Sequence, residues 1–328
     1  MINAAIVGLG RWGQTLVSSV QGKSNKMRFA TAVSRDPARA GDFIARHGMQ
    51  PVRSLDEALA DPALDAIVLA TPHSQHLGEI LATAAAGKAV FCEKPLTLTR
   101  ADAERAVAAC AASGVVLGVG TDKRYFPAMQ EAARLAATGE LGRVLHVEGN
   151  FSNEVSALQF SAWRDSAEES PAGGMTGTGI HVLDSMIRVA GPVRRARAQF
   201  LSLKPPPDPL DSISIVMEFR SGVSGMLAAV RCTPMFLRLH VFGRKGSAEV
   251  IGRNELILRQ SGSEPQHRKF PANDSVRENL EAFADAVAGI APYPITPQHI
   301  VEVVAAFEAI AQSADRGGAA VDLPAAAA

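Results

Sequence analysis

Two kinds of residue in this chain are spaced for chemistry: glycines that let backbone amides face an anion, and polar side chains at the ends of apolar runs. Gly8-Leu9-Gly10-Arg11-Trp12-Gly13 follows the apolar run Ile2 to Val7 directly. In such a G-x-G-x-x-G pattern the glycines allow a tight turn and bring backbone N–H groups close to a pyrophosphate at the positive end of a helix. No Walker sequence competes, so Gly8, Gly10, Arg11, Trp12 and Gly13 are expected to hold a dinucleotide. About twenty residues on, where a carboxylate would grip the ribose hydroxyls of NAD, stand Ser34 and Arg35. A hydroxyl and a guanidinium bind a 2′-phosphate through charge-assisted hydrogen bonds, which favours NADP over NAD. Asp36-Pro37 reads as an N-cap followed by proline at the first helical position, so the Asp36 carboxylate has a structural task.

Polar residues also close two later runs, at the strand ends where open parallel sheets bind ligands. Ala66 to Ala70 leads into Thr71-Pro72-His73-Ser74-Gln75-His76, and Ala89 to Cys92 leads into Glu93-Lys94-Pro95. Pro95 restricts the backbone of Lys94 and makes a cis bond accessible. Neighbouring strand residues point to opposite faces, which makes a side-chain pair between Glu93 and Lys94 awkward.

The elements that must position these groups alternate in the first third of the chain. Short β-branched runs (Ile2 to Val7, Phe29 to Val33, Ala66 to Ala70, Ala89 to Cys92, Val115 to Val119) are separated by Ala-rich segments of helical type. These are Trp12 to Val20, Ala38 to His47, His76 to Ala86 and Arg100 to Ser113, and a further helix from Pro127 to Thr138 closes the unit. That rhythm predicts a doubly wound parallel α/β sheet.

Beyond Gly142 the runs at Val144 to Phe151, Arg194 to Leu203, Ser212 to Phe219, Ser224 to Val230, Leu237 to Phe242, Ala248 to Ile251 and Leu256 to Arg259 stand at hairpin spacing. They predict an α+β domain with a largely antiparallel sheet. Gly173 to Gly191 reads as a glycine-rich loop entering a helix, and the prolines of Lys204 to Pro209 as an exposed turn. Helices are expected at Ser275 to Ala288 and Thr296 to Ser313. The boundaries are therefore 1–121 for the first domain and 122–328 for the second, with the last helix able to pack back on the first.

The combination of Gly8-x-Gly10-x-x-Gly13, Thr71-Pro72-x-x-x-His76 and Glu93-Lys94-Pro95 resembles the Gfo/Idh/MocA family of nicotinamide-dependent oxidoreductases. The likeness extends to Asp122-Lys123-Arg124-Tyr125, to Trp163-Arg164, and to Gly173-Gly174-Met175-Thr176-Gly177-Thr178-Gly179-Ile180-His181 with Asp184. It implies a Rossmann domain followed by an open-faced sheet domain, that sheet commonly forming dimer or tetramer contacts. It also implies catalytic roles for Lys94, near the nicotinamide and the reacting carbon, and for His181 as general acid or base. Thr71, Pro72, His73, His76, Glu93, Lys94 and Arg124 join the cofactor site, and Tyr125, Asn153, Trp163, Arg164, Thr178 and His181 the substrate site. The chemistry agrees, because hydride transfer at a carbinol carbon must be matched by proton movement at its oxygen, which imidazole and ammonium can serve.

Three departures from the family pattern bear on mechanism. Gly177 stands where most relatives carry an aspartate four residues before the histidine, His73 where asparagine follows Thr-Pro, and Asp122 where an asparagine opens the later motif. His73 either supplies polar function lost elsewhere or caps the following helix, and Asp184 is expected to orient a neighbouring polar group. His146, Glu148, Asn150 and Arg231 are further candidates for lining a substrate, of which alternation lets only half of one strand face one side. The expected reaction interconverts a small polar alcohol and its carbonyl compound: a sugar, cyclitol, hydroxy acid or relative. A nicotinamide-dependent lyase or glycosidase without net redox change, and an NADP-binding sensor with reduced turnover, are the other readings.

Composition bounds the rest. The 328 residues carry 33 basic and 33 acidic side chains and are 47% hydrophobic, enough for two packed cores and without a field to hold nucleic acid. Cys92, Cys110 and Cys232 have neither paired nor metal-type spacing, so no disulfide and no metal site is expected. With neither a secretory signal nor a membrane-spanning run, the expected setting is the cytoplasm, the expected partner a small polar molecule, and the expected assembly a homodimer or homotetramer.

Overall fold

The computed structural model describes residues 1–34, 40–154, 163, 166–202 and 211–324. Arg35, Asp36-Pro37, Arg164 and the proline-rich turn at Lys204 to Pro209 lie outside the described residues.

In chain order the elements begin with β1 (Ile2–Val7), α1 (Arg11–Val20), β2 (Met27–Val33), α2 (Gly41–Arg46), β3 (Gln50–Val52), α3 (Leu55–Leu59), β4 (Ala66–Leu69) and α4 (His73–Ala85). There follow β5 (Ala89–Cys92), α5 (Arg100–Ala112), β6 (Leu117–Val119), a 3₁₀ turn (Asp122–Tyr125) and α6 (Pro127–Ala137). Next come β7 (Val144–Ser152), a π turn (Met175–Gly179), α7 (Ile180–Ala190), β8 (Val193–Leu201), β9 (Ser212–Phe219), β10 (Ser224–Val230) and β11 (Phe236–Gly243). The series ends with β12 (Gly246–Ile251), β13 (Glu255–Gln260), β14 (Gln266–Lys269), α8 (Ser275–Val287), α9 (Pro297–Asp315) and β15 (Val321–Asp322).

The first compact unit comprises Met1–Thr121 and Asp274–Val301. Its sheet is parallel with strand order β3-β2-β1-β4-β5-β6, the doubly wound arrangement that places a crevice where the order reverses. Every residue of β4 and β5 is buried, as expected of central strands covered on both faces. β3 and α3 were not anticipated from periodicity. Pro51 in the middle of β3 is tolerated because β3 is an edge strand. The Ser54 hydroxyl accepts from Glu57 N at 3.2 Å while Glu57 accepts from Arg53 N at 3.2 Å, a capping arrangement of S-x-x-E type that starts α3.

Asp274–Val301 belongs to this first unit, so the second domain expected over 122–328 is not continuous. That segment contains α8 and the first residues of α9. Leu280, Phe283 and Ala284 of α8 are buried in the core with Phe29 and Phe91, and Phe283 meets Phe91 edge-on at 5.5 Å. Asn279 donates to the Val119 carbonyl at 2.9 Å, and Tyr293 donates to Asn279 at 2.7 Å, which ties this segment to the end of β6.

The second unit comprises Asp122–Asn273 and Glu302–Ala328. Its nine strands follow the order β14-β13-β12-β11-β7-β10-β9-β8-β15, antiparallel except for the pair β7 and β10. β14 and β15 extend the expected set; the polar sequence of β14, Gln266–Lys269, offers no alternation to read. α7 packs against β7, and a Cβ on Gly149 would lie 2.4 Å from Val182 and 2.9 Å from Met186, so glycine sets how closely that helix approaches. Among the described residues no helix is long and apolar enough to cross a membrane, and no group of three His, Cys, Asp or Glu side chains is placed to hold a metal ion.

Candidate active site

In the first unit the glycine motif turns the chain from β1 into α1. Gly8 has φ of +93° and a Cβ there would stand 2.6 Å from the Ala70 carbonyl oxygen; one on Gly13 would stand 1.9 Å from the Gly8 carbonyl oxygen. Both are glycine because backbone approaches backbone there. A Cβ on Gly10 would meet nothing within 4 Å. Gly10 caps α1 without a side chain, and the first turn of α1 carries no acidic residue. This is a cradle open to an anion at a helix N-terminus, and it fits the pyrophosphate of a dinucleotide. Arg11 is exposed, while Trp12 packs at the margin of the core. Ser34, half-buried at the end of β2, donates its amide to the Val52 carbonyl at 3.0 Å.

The two polar strand ends lie side by side, because β4 and β5 are neighbours with Leu69 opposite Cys92. The buried His76 ring joins them: Nδ1 is 3.0 Å from the Pro95 carbonyl oxygen and 3.1 Å from that of Leu96, and Nε2 is 3.1 Å from that of Thr71. Thr71 donates its hydroxyl to Glu79 at 2.5 Å, and burial raises the Glu79 carboxyl above its ordinary range against the pull of that bond. His73 is the first residue of α4, whose N-cap is Pro72, and its ring stands edge-on to His76 at 5.6 Å. Glu93 is buried and accepts from the backbone amide of Lys94 at 3.3 Å. A Cβ on Gly120 would sit 2.3 Å from the Glu93 carboxylate, so that glycine makes its room. Lys94 is half-buried at the end of β5, and its bond to Pro95 is cis.

In the second unit the segment read from sequence as a loop is helical from Met175 onward, as a π turn that continues into α7. Asp211, wholly buried, organises its start. One carboxylate oxygen accepts from Gly174 N at 3.1 Å and the other from Arg231 at 3.0 Å. Gly173, at φ +51°, leaves space for this carboxylate, which a Cβ would approach to 2.4 Å. Thr178 donates its hydroxyl to the Gly174 carbonyl at 2.8 Å, inside the turn. Arg231 serves this anchor through its pair with Asp211.

His181, the second residue of α7, is buried, with its Nδ1 3.9 Å from Oδ1 of Asp122 and its ring 6.1 Å from that of Phe151. The other Asp122 oxygen accepts from Lys123 at 2.9 Å. Arg124 and Asp184 form a buried pair at 3.1 Å, which gives Asp184 its polar neighbour, and Arg188 donates to the Arg124 carbonyl at 3.4 Å. Desolvation, and then the Arg124 charge, lower the Arg188 guanidinium from its usual range. Tyr125 is half-buried, its carbonyl accepting from Asn273 at 2.8 Å. Asn153 bridges to Arg231 beyond the end of β7, and Trp163 is half-buried.

His146, Glu148 and Asn150 do not line the side of the sheet that carries His181. Gly149 and Phe151 face α7, so alternation turns the even-numbered residues to the opposite, open face. There Glu148 lies 3.7 Å from His146 and accepts from Arg238 at 2.8 Å. The partnership of Asp122 with His181 and that of Asp211 with the glycine-rich segment were missed from sequence. The first had a signal, the carboxylate in place of asparagine at 122; the second had none, because its partners are distant along the chain.

Comparison with known proteins places the whole arrangement. The family model described as the oxidoreductase family with NAD-binding Rossmann fold matches residues 2–121, and the Gfo/Idh/MocA C-terminal domain model matches residues 129–249. The chain is 26% identical over 244 residues to trans-1,2-dihydrobenzene-1,2-diol dehydrogenase of Sus scrofa, covering 73% of this chain and 70% of the relative. It is 29% identical over 272 residues to scyllo-inositol 2-dehydrogenase (NAD(+)) of Bacillus subtilis, covering 78% and 73%. The crystal structure of GenD2 from gentamicin A biosynthesis in complex with NAD superposes with a TM-score of 0.85 at 27% identity, over 99% of this chain and 97% of that one. With the cradle, the paired strand ends and both domain models in register, the chain belongs to the Gfo/Idh/MocA family of nicotinamide-dependent oxidoreductases.

Proposed function

We propose that the protein is an NADP(H)-preferring dehydrogenase that interconverts a CH–OH group of a small polyol (a diol, cyclitol or sugar) and the corresponding carbonyl. The observation that carries this reading is the junction at His76, which ties the Thr71 and Lys94 strand ends together in the unit that holds the anion cradle. The substrate class follows the names of the relatives, which act on a dihydrodiol and an inositol. A nicotinamide supplies or accepts the hydride when bound. The chain's own residues do the rest. Amides at the start of α1 hold the pyrophosphate, and Ser34 and Arg35 take the 2′-phosphate. Lys94 orients the reacting oxygen and stabilises negative charge developing on it, while His181 exchanges the hydroxyl proton. A panel of cyclitols, sugars and vicinal diols, run in both directions with both cofactors while nicotinamide absorbance is followed, tests the reading. Tight NADPH binding without turnover of any member would overturn it.

Arg35→Asp tests the cofactor preference. Replacing a guanidinium by a carboxylate removes a charge-assisted hydrogen bond and adds repulsion, so NADPH affinity should fall by about tenfold or more while NADH affinity holds or improves. Tighter binding of NADH than NADPH by the wild-type protein would overturn the assignment.

The open face of the nine-stranded sheet is assigned to self-association. Leu201, Val216, Met226, Val230 and Phe236 are exposed on it, and Met226 lies directly opposite Val216. A second copy burying this face would remove contiguous apolar surface from water. Light scattering should give a dimer or larger assembly, and Met226→Lys should lower the mass toward that of the monomer; a wild-type monomer at micromolar concentration would refute the assignment.

A further inference from the structure

We infer that Asp122 is the carboxylate that positions His181 and favours its protonated form, the task for which position 177 has no side chain. The inference rests on the reading of His181 as the proton-exchanging group and goes beyond it by naming what tunes that group. Both side chains are buried, His181 at 5% and Asp122 at 3% exposure, so little water screens them. The carboxylate faces two groups: Oδ2 takes Lys123 at 2.9 Å, and Oδ1 faces His181 Nδ1 at 3.9 Å. At 3.9 Å the second contact is longer than a hydrogen bond and acts through the carboxylate's charge. It favours a proton on Nδ1, which leaves Nε2 as the atom that exchanges the substrate proton.

The other charged groups nearby have partners of their own. Asp184, on the same helix as His181, pairs with Arg124 at 3.1 Å. Arg188, one turn further on, donates to the Arg124 carbonyl. Asp211, below the π turn, pairs with Arg231 at 3.0 Å. Asp122 Oδ1 lies within ion-pair reach of His181 Nδ1. Gly177 is exposed and a Cβ there would meet nothing within 4 Å, so the position where the sequence resemblance calls for aspartate can accept one.

The test reads His181 directly. With ¹⁵N-histidine-labelled full-length protein, the His181 signal identified by its loss in His181→Gln, the midpoint of protonation should fall by about one pH unit in Asp122→Asn, because an opposite charge that favours imidazolium is gone. Lys123→Met should raise the midpoint, since the cation that offsets the carboxylate is removed while Asp122 stays. This second variant decides the matter if Asp122→Asn does not fold. Adding Gly177→Asp to Asp122→Asn should restore much of the lost shift. In the oxidation direction His181 must be neutral to accept a proton, so the acid limb of kcat/KM should move down by the same amount as the midpoint in Asp122→Asn. Unmoved midpoints in both Asp122→Asn and Lys123→Met would overturn the inference. Moved midpoints with an unmoved kinetic limb would instead remove His181 from proton transfer, overturning the reading on which the inference rests.

Discussion

Lys94→Met should reduce turnover by about 10²-fold or more while NADPH affinity changes by less than about threefold, the signature of a group acting on the reacting centre. The residue stands at the end of β5, a strand buried along its whole length and paired on both sides, with Cys92 opposite Leu69 on one neighbour and Val119 on the other. Methionine keeps the length and the apolar stem and removes the ammonium, so packing is retained and charge is lost. The Glu93 carboxylate accepts from the Lys94 backbone amide, a bond that survives the substitution. Single-turnover rates and fluorescence titration with NADPH would separate chemistry from binding. Near-wild-type turnover would take Lys94 out of the mechanism.

The first sheet was legible because its strands are short, apolar and buried on both faces, and because polar residues at their ends stand out against that background. Thr71, His76, Glu93 and Lys94 were singled out by that contrast, and the contacts of His76 with the Thr71, Pro95 and Leu96 carbonyls tie the two strand ends together. What periodicity could not supply was the edge strand Gln50–Val52, too short to show alternation, and the polar strand Gln266–Lys269. The glycine-rich segment read as a loop because glycine has poor helix propensity. Its helical form depends on tertiary anchors, Thr178 to Gly174 within the turn and Asp211 from beyond it. Strand parity was recognised as decisive for His146, Glu148 and Asn150, but which parity faces α7 is fixed by Gly149 and Phe151, through contacts distant in sequence.

Those anchors make Asp211→Ala the substitution with the largest expected cost to stability. The Asp211 carboxylate is wholly buried, and its loss takes a buried anionic partner from Arg231, whose side chain is only 10% exposed, and an acceptor from the Gly174 amide. Breaking a buried pair from one side typically costs about 3 to 5 kcal/mol, because an uncompensated charge is left behind. Asp211→Asn keeps acceptor capacity for Gly174 and should cost less. The double substitution Asp211→Ala with Arg231→Met removes both charges and should recover most of the loss, which distinguishes an unpaired charge from a cavity. Urea unfolding followed by far-ultraviolet circular dichroism reads these differences as shifts in midpoint. The same loss should reach function below the unfolding transition, since Gly174 immediately precedes the π turn that leads into His181. An unchanged midpoint in Asp211→Ala would show that the turn holds its shape without the pair, and the helical start of α7 would then have to come from Thr178 and the packing of Val182 and Met186 against Gly149.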